Sequence, residues 1–257
     1  MTAKIDNNKT VFVSKPIVSL KDLPADVIKE ILKKMHPLHL CICLRVCKQW
    51  HCLGNDDVVW NTILKQRFPN LKTYDENHWN KHTNLNLKID ASLNVKKTTL
   101  KLTHFYEKIK PSNRVTVLKI PQGLTYQKIK TMTLKNFQFT ERPNFQGEDE
   151  PINKSYWICL TENVLDWSPK LNTTAQKSML LESHLRMPTL IEVAALSVLS
   201  QDGQMPFDNS KGAGFTHIEN RFNSKLTIGT YGSKEITVLE VDNENVTFGS
   251  GAALDLQ

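Results

Sequence analysis

A helical stretch that is apolar on two sides, set in a segment too short to bury it, constrains this chain more than any other feature. Between His39 and Leu53, the residues Leu40, Cys43, Leu44 and Cys47 form one row at spacings of three and four. Ile42, Val46 and Leu53 form a second row on another side. Such a helix lies either deep in a large core or between its own fold and a partner. The helical segment around it, Asp22 to Phe68, is too small for the first option, because short domains bury only a modest part of their surface. The second face must therefore be covered by the following domain or by another protein.

The flanking residues give this segment its boundaries. Pro24 is pre-set for the first turn of a helix and lacks only a donor that would be unpaired there; Asp22 supplies an acidic neighbour for that end. Val27, Ile28, Ile31, Leu32 and Met35 then share one face, while Lys29, Glu30, Lys33 and Lys34 take the other. Pro37 disfavours helical geometry at His36 and predicts a stop. The spacing predicts a second helix from His39 to Leu53. Asn55, Asp56 and Asp57 supply caps for a third, with Trp60, Ile63, Leu64 and Phe68 inward and Pro69 ending it.

Three elements occur here in order: the Leu23-Pro24 start, the Val46-Cys47-Lys48-Gln49-Trp50 run and the trailing Val58-Val59-Trp60. Together they resemble the F-box, with residues 19–69 as the similar segment. The resemblance implies a three-helix module that docks on a Skp-family adaptor, and through it on a cullin-RING ligase scaffold. The residues it implies for adaptor binding are Leu23, Pro24, Val27, Ile28, Ile31, Leu32, Leu40, Leu44, Val46, Cys47, Trp50 and Trp60. The chain departs from the usual pattern at Met35, His39, Cys47 and Gln49, where leucine, an acidic residue, serine and a basic residue are common. Helical spacing alone would also suit a small helical subdomain packed on its own chain.

With 257 residues there is room for this module and one domain of ordinary size, and the 40% apolar and 23% charged content is that of a soluble globular protein. The net charge of +7 comes from lysines spread along the chain, mildly concentrated from Lys96 to Lys135, without an arginine-rich or glycine-aromatic motif. That distribution argues against nucleic-acid binding and suits attraction to acidic partners. The opening MTAKIDNNKT has no apolar core of a signal peptide. The most apolar stretch, Leu190 to Leu199, is too short to span a bilayer and contains Glu192, so no membrane association and a cytoplasmic location are expected.

Cys41, Cys43, Cys47 and Cys52 cluster with His36, His39 and His51. Cys41 and Cys43 on one helix point roughly 200° apart and cannot share a metal. Cys43 and Cys47 lie in an apolar row, where free cysteine behaves as a small hydrophobe. Cys159 sits in an apolar run. No metal and no cofactor is expected, and unpaired cysteines suit a reducing compartment.

The remainder divides by composition into a flexible N-terminus over 1–18, a linker with a short helix over 70–111, and an α+β domain over 112–257. The linker contains Trp79, Leu85, Leu87 and Leu93, and its short helix carries Leu100, His104, Phe105 and Ile109. Strands are predicted for Arg114 to Ile120, Thr131 to Thr140 (through Leu134, Phe137 and Phe139) and Tyr156 to Leu160. An exposed loop is predicted over 141–154. Helices are predicted over Thr173 to Met187 and Thr189 to Ser200, the latter with Leu190, Val193, Ala194 and Leu196 inward. Strands follow at Gly214 to Ile218, Lys225 to Thr230, Glu235 to Val241 and Val246 to Gly249. The fold class is thus α+β: an N-terminal three-helix module, then a mixed α+β domain with C-terminal antiparallel strands.

No repeat of fixed period is present, which excludes propeller and leucine-rich architectures. The stretch from Tyr156 to Leu199 shows a weak similarity to a C-terminal unit of F-box-bearing proteins of amoeba-associated intracellular bacteria, which would make the chain a host-directed effector. The chain contains no phosphate loop, nucleophile elbow or His-Glu pair at metal spacing. Asp166, Glu182 with His184, Glu192 and His217 are the polar groups that stand out, with Glu192 read as half-exposed and His217 as a strand-edge residue. The expected function is that of a non-catalytic substrate receptor recruiting a target protein. The competing readings are an adaptor-binding decoy that delivers no target and an enzyme with a site in the C-terminal domain.

Overall fold

Four short helices open the described part of the chain: α1 (Ala25–Lys33), α2 (Pro37–Cys43), α3 (Lys48–Gly54) and α4 (Asp57–Arg67). This computed structural model describes residues 22–75, 78–79, 93–109, 113–133, 138–141, 150–200, 206–207, 216–218, 226–231, 235–240 and 248–256. Pro24 caps α1 in an extended conformation, and Asp56 caps α4 by accepting the Val58 N–H at 2.9 Å. Pro37 does more than stop α1. It occupies the first turn of α2, with His36 as the cap and its ring nitrogen accepting from the Leu38 N–H.

The segment read as one helix from His39 to Leu53 is two, so the module has four helices rather than three. The ladder stops at Cys43, and Cys47 is fully extended before α3 begins. The break lets Gly54, at the end of α3, pack directly against Leu44, Leu32 and Leu40, where any β-carbon would collide with Leu44. The Gly54 carbonyl also accepts the Trp60 indole N–H at 2.7 Å.

The long helix α5 (Val95–Ile109) follows β1 (Lys72–Tyr74). It starts earlier than the short helix expected around Leu100 to Ile109, and Asn94 marks its entry by accepting from Lys97 N–H at 2.9 Å. Next come β2 (Val115–Ile120), α6 (Tyr126–Thr133), β3 (Gln138–Glu141), β4 (Tyr156–Thr161), a 3₁₀ turn over Ser168–Lys170, α7 (Thr173–Glu182) and α8 (Leu190–Leu199). The chain ends in β5 (Thr216–Ile218), β6 (Leu226–Tyr231), β7 (Glu235–Glu240), β8 (Gly249–Ser250) and β9 (Ala253–Asp255). One sheet runs β1-β2-β4-β9 and the other β3-β7-β6-β5-β8. The β5-β6-β7 series is antiparallel, as are β2-β4-β9, while β1 joins β2 in parallel.

Alternation along β2 and β4 divides the core in two. Leu118, Ile120, Ile158 and Leu160 face α8 and the second sheet; Val115, Val117, Trp157 and Cys159 face Leu102, Phe105 and Ile109 of α5. Both faces of β2 and β4 are therefore buried. Helix α8 contributes to the same core as strands of both sheets and is buried at every residue, which is why its sequence is apolar all round.

Several expectations are corrected. Thr131 to Thr133 belong to helix α6, because Thr125 accepts the Lys128 N–H and starts a helix whose inward residues are Tyr126 and Ile129. The helix predicted to Met187 ends at Glu182: His184 takes a left-handed φ of 57°, and Leu185 N–H returns to the Leu180 carbonyl at 2.8 Å. That closure still turns Leu185 into the core beside Leu180. Trp79, read as part of a linker, is fully buried and donates to the Lys119 carbonyl at 2.6 Å. The flexible N-terminus over 1–18, Leu85, Leu87, Leu134, Phe137, the loop over 142–149 and the starts of the strands read from Gly214 and Val246 lie outside the described residues.

Candidate functional site: an exposed apolar face on the N-terminal helices

The N-terminal helices sort their apolar residues into two sets with different surroundings. Ile28, Leu32, Leu40, Leu44, Val59, Trp60 and Ile63 form a closed core, all at or below 5% exposure. Leu23, Met35, Trp50 and Leu53 pack against that core while partly exposed. A second set faces outward: Val27, Ile31, Leu38, Ile42, Val46 and Val58, the last three at 57% exposure or more. Val27 with Ile31, and Leu38 with Ile42, each stand one helical turn apart, so α1 and α2 each present a continuous apolar stripe. Of the eight large apolar residues exposed among those described, six lie in this segment. That concentration is what a surface awaiting a partner looks like, since scattered single exposures are ordinary and clusters are not.

The structure therefore splits the twelve residues singled out for adaptor binding. Pro24, Val27, Ile31 and Val46 are exposed and available, and Leu23, Cys47 and Trp50 are partly so. Ile28, Leu32, Leu40, Leu44 and Trp60 are buried and build the platform beneath the face. Leu38 and Val58 complete the exposed face. Neither was singled out for adaptor binding, although Val58 belongs to the Val58-Val59-Trp60 run, because period counts a residue as inward or outward only after the core side is known. Of the second row, Ile42 and Val46 are exposed, whereas Leu53 packs against the helical core.

Charge frames the platform. Lys29 and Asp56 form a 2.6 Å ion pair that ties α1 to the start of α4. The hydrogen bond to Asp56 raises the lysine's pKa, and the same bond, with that from Val58 N–H, lowers that of the aspartate. Lys34, Arg45 and Lys48 are exposed in the same segment and add positive charge to it. Burial holds the His36 imidazole below its usual range, with Arg67 adding repulsion.

The cysteines divide in the same way. Cys41, Cys43 and Cys47 are partly buried, Cys52 is exposed and Cys159 is buried, which pushes its thiol well above the ordinary range. No cluster of three or more His, Cys, Asp or Glu side chains able to hold a metal occurs among the described residues. Nor is any described helix long and apolar enough to cross a membrane.

Asp166, Glu182 and His184 are exposed, the last two beside each other at the end of α7, and His217 lies on β5 with its side chain outside the described set. Glu192 is corrected from half-exposed to fully buried. Arg186 grips it with two bonds at 2.8 and 2.6 Å, the Tyr156 hydroxyl donates at 2.7 Å, and the Thr189 N–H donates at 2.7 Å in a capping box. Arg186 also reaches Asp255 at 2.8 Å. These contacts cap the start of α8 and join it to Tyr156 of β4 and to Arg186, the residue that pairs with β9.

The family model of the F-box domain matches residues 20–62, the segment that holds α1 to α3, most of α4 and the whole exposed face. No curated protein and no solved structure matches the chain. F-box domains bind Skp-family adaptors in cullin-RING ligases, and the match supports a role for this chain as an adaptor-binding protein of that kind of complex.

Proposed function

We propose that this chain is the substrate-receptor subunit of an SCF-type ubiquitin ligase. The N-terminal helices dock on the adaptor, and the α+β region holds a target protein. The observation that carries this reading is the division of residues 22–68 into a buried core and an outward face of Val27, Ile31, Leu38, Ile42, Val46 and Val58, inside the segment that matches the F-box. A helical subdomain that merely packed on its own chain would leave no such face uncovered.

In this role the chain performs no chemistry. Holding a target lysine near a charged conjugating enzyme raises its effective concentration, and that alone accelerates transfer. The excess of positive charge on the chain favours encounter with acidic partner surfaces.

The test is reconstitution of the full chain with a Skp-family adaptor and a cullin-RING scaffold. A stable complex on size exclusion and ubiquitin transfer that depends on both the chain and its target are the expected results. A complex without target-dependent transfer would identify a decoy, and absence of any complex would remove the adaptor-binding reading.

A further inference from the structure

Glu162, the residue after β4, is only 1% exposed, yet one of its carboxylate oxygens is left over. Oε1 accepts from the Thr116 hydroxyl. Oε2 has no hydrogen-bond partner among the described residues and meets only Arg114 Nη1 at 3.5 Å, longer than a charge-assisted hydrogen bond. Buried carboxylate oxygens are nearly always satisfied, so an orphan one calls for a donor from elsewhere.

That residue lines a cleft of about 590 Å³ between the end of α4 and the first sheet, together with Arg67, Phe68, Lys72, Tyr106 and Arg114. Phe68 and Tyr106 stack at 4.8 Å and give the cleft an aromatic wall. Lys72 stands beside Thr116 in the β1-β2 register, next to the strand position whose hydroxyl holds Glu162.

The lining fixes the chemistry of an occupant. Three cations, Arg67, Lys72 and Arg114, accompany a single carboxylate, and neither Arg67 nor Lys72 has an ion-pair partner among the described residues. An ammonium donor approaching Oε2 would be repelled by all three. The group that suits Oε2 is therefore an uncharged N–H on a molecule that is otherwise anionic. Arg114 narrows this further: its guanidinium lies 3.5 Å from Oε2, so the N–H and the anion must be close neighbours. The last residue of a polypeptide has that arrangement, because one α-carbon separates its amide nitrogen from its carboxylate and keeps the two within about 4 Å. A nucleotide does not, since a sugar stands between its base N–H groups and its phosphate.

We propose that this cleft binds the free carboxyl end of a target protein: the last amide N–H donates to Glu162 Oε2, the end carboxylate lies among Arg114, Arg67 and Lys72, and the last side chain rests against the Phe68-Tyr106 wall. The proposal rests on the receptor reading above in taking a target as the source of that chain end. Recognition of a chain terminus by fixed charges and a buried acceptor is an established mode of peptide capture.

The test is selection of random peptides of about ten residues, displayed with free carboxyl ends, on the purified full chain. Enriched peptides should share their last residues and lose at least tenfold in affinity when the end carboxylate is amidated. Methylating the last amide nitrogen should weaken binding to wild type by a similar factor but leave the already weaker binding to Glu162→Gln unchanged, a difference that a merely structural Glu162 would not produce. Arg67→Ala with Lys72→Ala should weaken binding of the free acids without lowering the melting temperature, and decides the matter if Glu162→Gln does not fold. No enrichment, amidated peptides that bind as tightly as free acids, equal losses on methylation in wild type and Glu162→Gln, or full affinity in the Arg67 and Lys72 pair would overturn the proposal. Adaptor binding is measured in parallel. Peptide capture without adaptor binding would sink the receptor reading and leave the cleft standing, whereas adaptor binding without peptide capture would do the reverse.

Discussion

Replacing Ile42 and Val46 together by alanine should weaken adaptor binding while leaving the fold intact. Ile42 is 64% exposed and Val46 71% exposed in the free chain, so their side chains do little for stability. Full burial of an isoleucine or valine side chain is worth about 1.5 to 3 kcal/mol, so covering the exposed two-thirds yields about 1 to 2 kcal/mol at each position. Alanine keeps the β-carbon, which reduces the expected loss for the pair to about 2 to 3 kcal/mol. That is roughly a thirty- to hundred-and-fifty-fold rise in Kd. Surface changes of this kind usually move stability by less than about 0.5 kcal/mol.

Calorimetric titration against a Skp-family adaptor, with thermal melting of each variant, measures both quantities. Ile28→Ala is the opposite control: Ile28 is fully buried, and its truncation should cost about 2 to 5 kcal/mol of stability. Leu23→Ala with Pro24→Ala is a mixed case, because Leu23 packs partly against the helical core while Pro24 is exposed. Unchanged affinity in the Ile42 and Val46 pair, or a fall in melting temperature as large as that of Ile28→Ala, would refute the division of this segment into platform and face.

Three further outcomes follow from the packing and charge of the rest of the molecule. Residues 112–257 expressed alone lack Leu102, Phe105 and Ile109, which fill one face of the first sheet, and should fail to melt cooperatively; a fragment from residue 70, which keeps β1, Trp79 and α5, should melt as a unit in the same calorimetric scan. Arg186→Ala should destabilise by about 3 to 5 kcal/mol in denaturant titration, because it leaves the fully buried Glu192 without its cation, whereas Asp255→Asn at an exposed carboxylate should cost far less. The Tyr106 phenol is pushed up to about 12 by burial, with the nearby Glu162 adding to the shift, so its neutral form favours the folded state below the unfolded phenol pKa near 10, and that contribution is lost as pH rises toward 12. Melting temperature should fall over that window less steeply in Tyr106→Phe than in wild type.

Local signals in the sequence located what local physics decides. Pro24 and Asp56 mark helix starts by local chemistry that needs no distant partner, and α1 and α4 begin directly after them. The run at Val115 to Ile120, rich in branched residues, and the continuous apolar run at Tyr156 to Leu160 are strands where the sequence placed them. What escaped was non-local. Lys72 to Tyr74 becomes a strand only because β2 lies beside it, and Ala253 to Asp255 only because β4 does. Burial of Glu192 depends on Arg186 and Tyr156 arriving from other elements. In the candidate site, periodicity found both apolar rows, but which residues face a partner was fixed only when α3 closed over α1 and α2 through Gly54.

The position of α5 links the two halves of the proposed role. Its start, through Val95 and Leu100, packs on the core of the N-terminal helices, and its later residues Leu102, Phe105 and Ile109 fill one face of the first sheet. Lys96 extends the first contact by reaching Asn55 at 2.6 Å and lying over the Trp60 ring at 5.7 Å. One helix of the segment read as a linker thus packs against both cores. For a receptor that works by position alone this is the useful arrangement. A flexible tether would dilute the effective concentration of the target lysine as its reach grew, whereas a shared helix keeps the docking face and the α+β region in one geometry.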